Sequence, residues 1–204
     1  MYHFFKRLFD IVISLLAIIL LIPVWVVIFC VIKLTSEGPA VFAQERSGKN
    51  AVPFTLYKFR TMKIDAEPFG ASPKSQADPR LTTVGKLLRE HSLDELPQLF
   101  NILKGDMSIV GPRPLYVSQI AEWNQTQKQR LLVKPGLTGL AQISGRGELT
   151  IEAKFALDVE YVKTAGFWTD VKIVAATVGC VFGRTSIYEK KYSETEGTRG
   201  ESAN

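Results

Sequence analysis

The N-terminal part of the chain contains one long apolar segment. Ile11 to Ile32 is an unbroken run of uncharged residues between Asp10 and Lys33. At about 1.5 Å per residue, a straight helix of this run just crosses a hydrocarbon core of about 30 Å. The run is longer than the apolar region of a typical signal peptide and no small-residue cleavage site follows it, so we expect it to remain on the mature protein.

Pro23 lies near the middle of this segment and makes a second membrane topology possible for it. Because proline lacks an N–H and its ring clashes with the carbonyl four residues earlier, we expect it to kink or break the helix. Basic residues flank both ends, with Lys6 and Arg7 before the segment and Lys33 after it, and the positive-inside rule then places both ends in the cytoplasm. A re-entrant helix and a conventional span remain alternatives, since proline also occurs in spanning helices.

The pattern changes after the apolar segment. Ala40–Gln44 and Phe54–Met62 are rich in β-forming residues and flank the turn-forming Ser47–Asn50, which predicts a β-hairpin. Lys63–Arg80 holds three prolines and has no period, which predicts a long loop, either an active-site lid or a disordered insert.

Two amphipathic helices are predicted further on, because apolar residues recur at helical spacing. The first stripe is Ile151, Phe155, Val159 and Val162, and the second is Trp168, Val171, Ala175, Val178 and Phe182. The second helix carries few charges, so it fits either a membrane interface or the protein core, and we favour the core. The polar C-terminal tail is expected to be disordered.

Composition narrows the function classes. Hydrophobic residues make up 46% and charged residues 22% of the chain, which fits a globular protein. The net charge of +5 is modest, so we expect no nucleic-acid partner. Cys30 and Cys180 are far apart and lack metal-ligand spacing, which favours a reducing, cytoplasmic setting.

The candidate chemistry is concentrated in Arg89–Asn101. Ser92 and Glu95 form the S-x-x-E pattern of a capping box, which is a structural interpretation. With Ser92 as the cap, Pro97 would clash inside the helix, whereas with Asp94 as the cap it needs no N–H. We therefore expect Asp94 at the helix start, where the dipole keeps its carboxylate ionised and favours a phosphate. A structural and a catalytic role both remain at this stage.

Arginines and glycines add a candidate phosphate and nucleotide site. Guanidinium groups match phosphate oxygens bidentately, although any single arginine can also be a solvated surface charge. The glycines between Gly136 and Gly147 would let backbone approach a nucleotide, which is a weak signal alone. The arginines at element ends or in Gly- and Pro-rich turns are Arg60, Arg89, Arg113 and Arg146.

Several stretches together resemble the small monotopic phosphoglycosyl transferases, a bacterial sugar transferase family that includes the undecaprenyl phosphate N,N'-diacetylbacillosamine 1-phosphate transferase. The resemblance covers nearly the whole chain, and the family often has a serine before its membrane-helix proline where this chain has Ile22. The matching stretches are Phe5–Asp10, Tyr57–Met62, Ser92–Asn101, Leu103–Ser108, Gly111–Pro114 and Pro135–Gly139.

The resemblance implies an enzyme that uses Mg²⁺ to move a sugar 1-phosphate from a UDP-sugar to polyprenyl (undecaprenyl) phosphate and releases UMP. It implies that Asp94 is the nucleophile, forms an aspartyl phosphosugar ester and contacts the Mg²⁺, with Glu95 as its partner. Phosphate binding would fall to Arg60, Arg89 and Arg113, and nucleotide binding to Pro135, Gly136, Thr138, Gly139 and Arg146.

We accordingly expect an α+β monotopic membrane protein, mainly helical with a small β-hairpin, in contact with lipid on the cytoplasmic face of the bacterial inner membrane. Residues 1–33 would form a re-entrant anchor helix broken at Pro23, 34–188 a cytoplasmic catalytic domain with interfacial helices, and 189–204 a polar tail. The alternative is a non-catalytic membrane-anchored adaptor that binds anionic lipid, in which Asp94 and Glu95 only cap a helix.

Overall fold

The fold is mainly helical, with two small sheets, in a computed structural model that describes residues 1–64, 66, 73 and 75–183. The predicted tail at 189–204 and the predicted domain end at 188 lie outside these residues. The helices are α1 (Tyr2–Thr35), α2 (Thr83–Glu90), α3 (Gln98–Lys104), α4 (Gln125–Lys128), α5 (Leu140–Ile143), α6 (Ile151–Thr164) and α7 (Phe167–Gly183). The strands are β1 (Val41–Ser47), β2 (Pro53–Phe59), β3 (Ser108–Val110) and β4 (Gly136–Thr138).

The apolar segment forms a single helix, α1, that is long and apolar enough to cross a membrane. Pro23 lies inside it and the helix continues on both sides, so the expected break at Pro23 is wrong, while the alternative expectation of a kink stays a prediction. A helix can pass through a proline when only the bonds at that turn are lost and the neighbouring turns stay paired. The re-entrant topology stays a prediction.

One face of α1 packs against the rest of the protein over most of its length. Near its start, the buried Asp10 accepts hydrogen bonds from Ser108 Oγ at 3.1 Å and Ile109 N at 3.0 Å. Near its end, Ile28 and Ile32 are buried in a core that includes Phe59. The outer face leaves large apolar side chains exposed, as expected of a helix in contact with lipid: Leu16, Ile19, Leu20, Ile22, Val26 and Val27.

The predicted hairpin is present, with slightly different bounds. β1 and β2 pair antiparallel, and Ala43 lies opposite Tyr57. A short 3₁₀ turn at Lys49–Ala51 joins the strands. No sequence pattern predicts the second sheet, in which β3 and β4 pair in parallel over three residues each. The described residues between Lys63 and Arg80 form turns and bends, in keeping with the predicted loop.

Both predicted C-terminal helices form, and they bury different amounts of apolar surface. In α6 the predicted stripe packs inward through Phe155 and Val159. In α7 the preference for a core helix is wrong for Trp168, Val171 and Val178, which are exposed while Ile173 on the other face is buried. The side chain of Phe182, the last member of the predicted stripe, lies outside the described part of the chain. The exposed stripe of α7 is therefore suited to a membrane interface.

Candidate active site

Asp94 and Glu95 lie in a 3₁₀ turn, Leu93–Glu95, that connects α2 to α3. The expectation that Asp94 caps the following helix is wrong, because α3 begins only at Gln98 and Pro97 is the residue before it. The capping box with Ser92 is also absent, since Ser92 adopts a left-handed conformation (φ 55°) and its side chain caps no helix. The carboxylates therefore have no capping function to explain them.

The turn is held by apolar residues on either side of the carboxylate pair. Leu93 and Leu96 pack against the core formed by Ile28, Phe59 and Leu88, among others. This packing draws Asp94 inward until only 7% of its surface is exposed.

Burial determines the protonation of Asp94. It raises the pKa of the Asp94 carboxyl from 3.8 to about 6, and the neighbouring charge of Glu95 acts in the same direction. The positive charges of Arg89, Lys58 and Arg113 oppose this rise. The expected stabilisation of the carboxylate by the dipole of α3 does not apply, because Asp94 does not lie at the start of that helix, although Asp94 remains mostly ionised at pH 7.

Glu95 behaves in the opposite way because it has a direct cationic partner. Arg113 Nη2 donates to Glu95 Oε1 at 2.7 Å. Burial opposes ionisation of Glu95, but the charge and hydrogen bond of Arg113, with Arg146, hold the pKa of its carboxyl below the usual value. The pair thus consists of one firmly ionised carboxylate and one that titrates near pH 6.

Arg89 and Arg146 are far apart in the sequence, and each acts electrostatically on the carboxylate pair of Asp94 and Glu95. Arg89, in the last turn of α2, donates from Nε to Thr61 Oγ1 at 2.9 Å. Arg146 donates from Nη2 to Ser92 Oγ at 3.0 Å. The structure therefore brings the predicted Arg89, Arg113 and Arg146 together around the two carboxylates.

Lys58 is a member of this site that the sequence analysis missed. It lies on β2, and burial, followed by the charges of Arg89 and Arg46, lowers the pKa of its amine to about 8. β2 contacts the turn that holds Asp94, and the positive charge of Lys58 lowers the pKa of the Asp94 carboxyl against the effect of burial. A lysine inside an otherwise apolar strand was the available signal.

Arg60 is not directed at the carboxylate pair. Its guanidinium is buried and donates to the carbonyl oxygens of Ser36 and Glu37 and to Ser36 Oγ, just after the end of α1. Both Nη groups of Arg60 already have partners within the protein, whereas Nε is buried without one, and phosphate binding by Arg60 stays a prediction.

In the predicted nucleotide segment, Gly136 and Gly139 lie against the backbone of Gly111 and do not border an open surface. A Cβ on Gly136 would lie 2.1 Å from Gly111 N, and one on Gly139 would lie 2.2 Å from Gly111 O. Their lack of a side chain is therefore explained by the close approach of β4 to the residues after β3. Pro135 and Thr138 are buried as well, and Thr138 Oγ1 lies 2.7 Å from Thr177 Oγ1.

The donor set of the site fits a magnesium ion shared with a substrate. Within the described residues, no cluster of three or more His, Cys, Asp or Glu side chains could hold a metal alone. Mg²⁺ in phosphate-transferring enzymes is commonly bound through one or two carboxylates together with substrate phosphates and water. Asp94 and Glu95 supply that number of carboxylates.

Comparisons with known proteins identify the family of the chain. Residues 1–184 match the family described as bacterial sugar transferase. The chain is 44% identical to the galactosyl transferase CpsE of Streptococcus agalactiae over 86% of its own length and 42% of that protein. It is 40% identical to the uncharacterized sugar transferase EpsL of Bacillus subtilis over 96% of both chains.

The name of a third relative specifies a reaction. The chain is 44% identical to the UDP-glucose:undecaprenyl-phosphate glucose-1-phosphate transferase of Escherichia coli, over 85% of its own length and 39% of that protein. It therefore spans about two-fifths of the length of several relatives and nearly all of EpsL. The length and strength of these matches show that the chain belongs to the bacterial sugar transferase family.

Proposed function

We propose that this protein is a phosphoglycosyl transferase that moves a sugar 1-phosphate from a UDP-sugar to polyprenyl phosphate, an early membrane step of glycoconjugate assembly. The observation that carries the proposal is a buried carboxylate, Asp94, set among Lys58, Arg89 and Arg113. A diphosphate brings negative charge that such a site can neutralise, and the carboxylate next to it can act as a nucleophile.

In the first displacement, a carboxylate oxygen of Asp94 attacks the β-phosphorus of the UDP-sugar. A bond forms between this oxygen and phosphorus, the bond from that phosphorus to the bridging oxygen breaks, and UMP leaves with the electron pair. The pKa of the Asp94 carboxyl is about 6, so the carboxylate is mostly ionised at neutral pH. Its attacking oxygen therefore needs no general base. Arg113 and Arg89 offset the charge that develops on the phosphoryl oxygens.

In the second displacement, a phosphate oxygen of the polyprenyl phosphate attacks the phosphorus of the aspartyl ester. The ester bond to Asp94 breaks, which regenerates the carboxylate and yields a polyprenyl diphosphate sugar. Glu95 is held by Arg113 beside this centre, so it is placed to orient the acceptor phosphate. A bound Mg²⁺, held by Asp94 and Glu95, would supply charge neutralisation to the diphosphate.

Activity is tested with the purified full chain in nanodiscs, a panel of UDP-sugars and undecaprenyl phosphate, with UMP release as the measurement. We expect turnover that stops on chelation and returns with Mg²⁺. Asp94→Asn should lose it, while Glu160→Gln, which removes an exposed carboxylate on α6, should keep it. Mass spectrometry of wild type incubated with UDP-sugar alone should find a phosphosugar on the Asp94 peptide. Sustained turnover by Asp94→Asn, with deamidation excluded, would disprove the nucleophile.

A membrane-anchored adaptor without catalytic activity is the weaker candidate. It requires the carboxylates to serve as a helix cap, and α3 begins at Gln98. It also leaves unexplained why a carboxylate is buried at the cost of a raised pKa.

We also propose that both ends of α1 lie on the cytoplasmic face of the bacterial inner membrane. Arg7 donates from its guanidinium to the carbonyl oxygens of Ile102 and Leu103, and Ile32 packs with Phe59. Along a straight helix, Arg7 and Ile32 are about 37 Å apart, which exceeds a hydrocarbon core of about 30 Å. Contacts with one domain at both positions support a helix that enters and leaves the same leaflet.

A further inference from the structure

The end of α1 is fastened to the catalytic domain by Arg60, the residue that follows β2. Arg60 Nη2 donates to Ser36 O at 3.0 Å and to Ser36 Oγ at 2.7 Å, and Nη1 donates to Glu37 O. Ser36 is the C-cap residue of α1. A cationic fork thus satisfies carbonyl groups just beyond a helix C-terminus, where positive charge is favoured.

Gly38 makes room for this contact. It has φ +95°, and a Cβ on it would lie 2.4 Å from Arg60 Nη1. A side chain at this position would displace the guanidinium and Ile64, whose Cδ1 would lie 2.9 Å from the Cβ, without changing the charge of Arg60.

Thr61, the next residue, fixes both ends of α2. Its carbonyl accepts from Thr82 N at 3.0 Å and lies so close to Gly85 that a Cβ there would be 2.0 Å away. Its hydroxyl accepts from Arg89 at the other end of the helix. The position of Thr61 therefore sets the position of Arg89.

The segment Lys58 to Thr61 also leads back into the turn Leu93–Glu95, which holds the carboxylate pair. Lys58 lies on β2, two residues before Arg60, and β2 contacts the turn Leu93–Glu95. Phe59 packs in the core that holds Leu93 and Leu96, which flank the carboxylate pair. Lys58 to Thr61 thus joins the end of α1 to the parts of the site that surround Asp94.

We propose that Arg60 is a positioning residue: by binding the end of α1 it fixes Thr61, and through Thr61 it aligns Arg89 with Asp94. The C-terminal end of the membrane helix is then a structural part of the active site in addition to an anchor. This inference rests on the proposed function for its kinetic test, and it assigns Arg60 a role that differs from phosphate binding.

The first test compares Arg60→Lys with wild type in nanodiscs. Lysine keeps the charge, but its single nitrogen cannot reproduce the spacing of the two Nη groups that bind Ser36 and Glu37, so the alignment of Arg89 is lost. We expect kcat for UMP release to fall about 10- to 100-fold, as for misplaced catalytic groups. The KM for the UDP-sugar should stay within about twofold, because no phosphate contact is removed.

Three further single variants and one double variant separate position from charge. Gly38→Ala displaces the guanidinium and should reproduce the loss of kcat. Lys33→Ala removes a charge at the same helix end, where the lysine makes only an exposed bond to Gly38 O, and should leave kcat unchanged. Thr61→Val removes the acceptor for Arg89, and the double variant with Arg60→Lys should be no slower than the slower single variant, because both act through one path.

Hydrogen exchange gives a measurement that does not depend on turnover. Amides in 82–96 should exchange faster in Arg60→Lys and Gly38→Ala than in wild type or Lys33→Ala. If wild type releases no UMP with any donor but this change is seen, the proposed function fails and the positioning role stands. A raised KM with unchanged kcat would instead make Arg60 a phosphate ligand, and unchanged kcat and exchange would also overturn the proposal.

Discussion

Arg130 donates from Nε and Nη2 to a single carboxylate oxygen of Asp158, at 3.0 and 2.7 Å, and both side chains are buried. Arg130 Nη2 also donates to the carbonyl oxygen of Arg113 at 2.6 Å. The guanidinium lies 5.1 Å from the ring centroid of Trp123. A buried ion pair between α6 and the segment after α4 thus holds the backbone of a residue whose side chain binds Glu95.

Asp158→Asn should destabilise the protein strongly, because it leaves Arg130 buried without an opposite charge. Loss of one partner of a buried pair typically costs about 3–5 kcal/mol. Thermal unfolding in detergent measures the change, and Asp78→Asn, in the more exposed pair with Arg80, should cost less than about 1 kcal/mol. Equal melting temperatures for the two variants would show that the buried pair contributes little.

The pH profile should show an acid limb that belongs to Asp94. Only the ionised carboxylate attacks phosphorus, so kcat/KM should fall as pH drops through about 6, the pKa to which burial and Glu95 raise it. Glu95→Gln removes a neighbouring negative charge and should move the limb to lower pH, whatever its effect on the maximum rate. A limb that stays in place in Glu95→Gln would assign it to another group.

Arg113→Lys should weaken the reaction although the charge is retained. Lysine cannot provide the planar fork that bridges Glu95 and a phosphate oxygen. We expect kcat/KM for the UDP-sugar to fall by about 10²-fold, as when one donor to a developing charge is lost. Lys163→Ala, an exposed change on α6, serves as the control, and an Arg113→Lys variant as active as that control would exclude Arg113 from phosphate binding.

The same-face topology can be tested by thiol labelling in cells. In a background with Cys30 and Cys180 changed to Ser, single cysteines are introduced as His3→Cys and Glu37→Cys, both at exposed positions. A membrane-impermeant reagent should label neither in intact spheroplasts and both in inverted vesicles. Labelling of one position from each side would establish a conventional span.

The amino-acid pattern predicts the elements whose side chains repeat with a clear period: α1, the hairpin, α6 and α7. The pattern also predicts that Asp94 and Glu95 lie before a helix. That helix starts later than expected, at Gln98, because Pro97 has helical backbone angles but is the N-cap of α3 and not its first residue. The roles of Arg60 and Gly136 are not predictable in this way. They depend on the end of α1 and on the parallel pairing of β3 with β4, contacts between residues far apart in sequence that leave no local period.

Ser92 and Arg146, joined by a hydrogen bond beside Asp94, both have left-handed backbones, with φ of 55° and 51°. Each such residue other than glycine costs on the order of 1 kcal/mol. Ser92→Gly would remove this penalty together with the hydroxyl that Arg146 binds, so melting temperature should rise while turnover falls, and a variant that gains both would refute the link. A search for more heat-resistant forms of this enzyme would therefore select glycine at a position where it removes a contact of the active site.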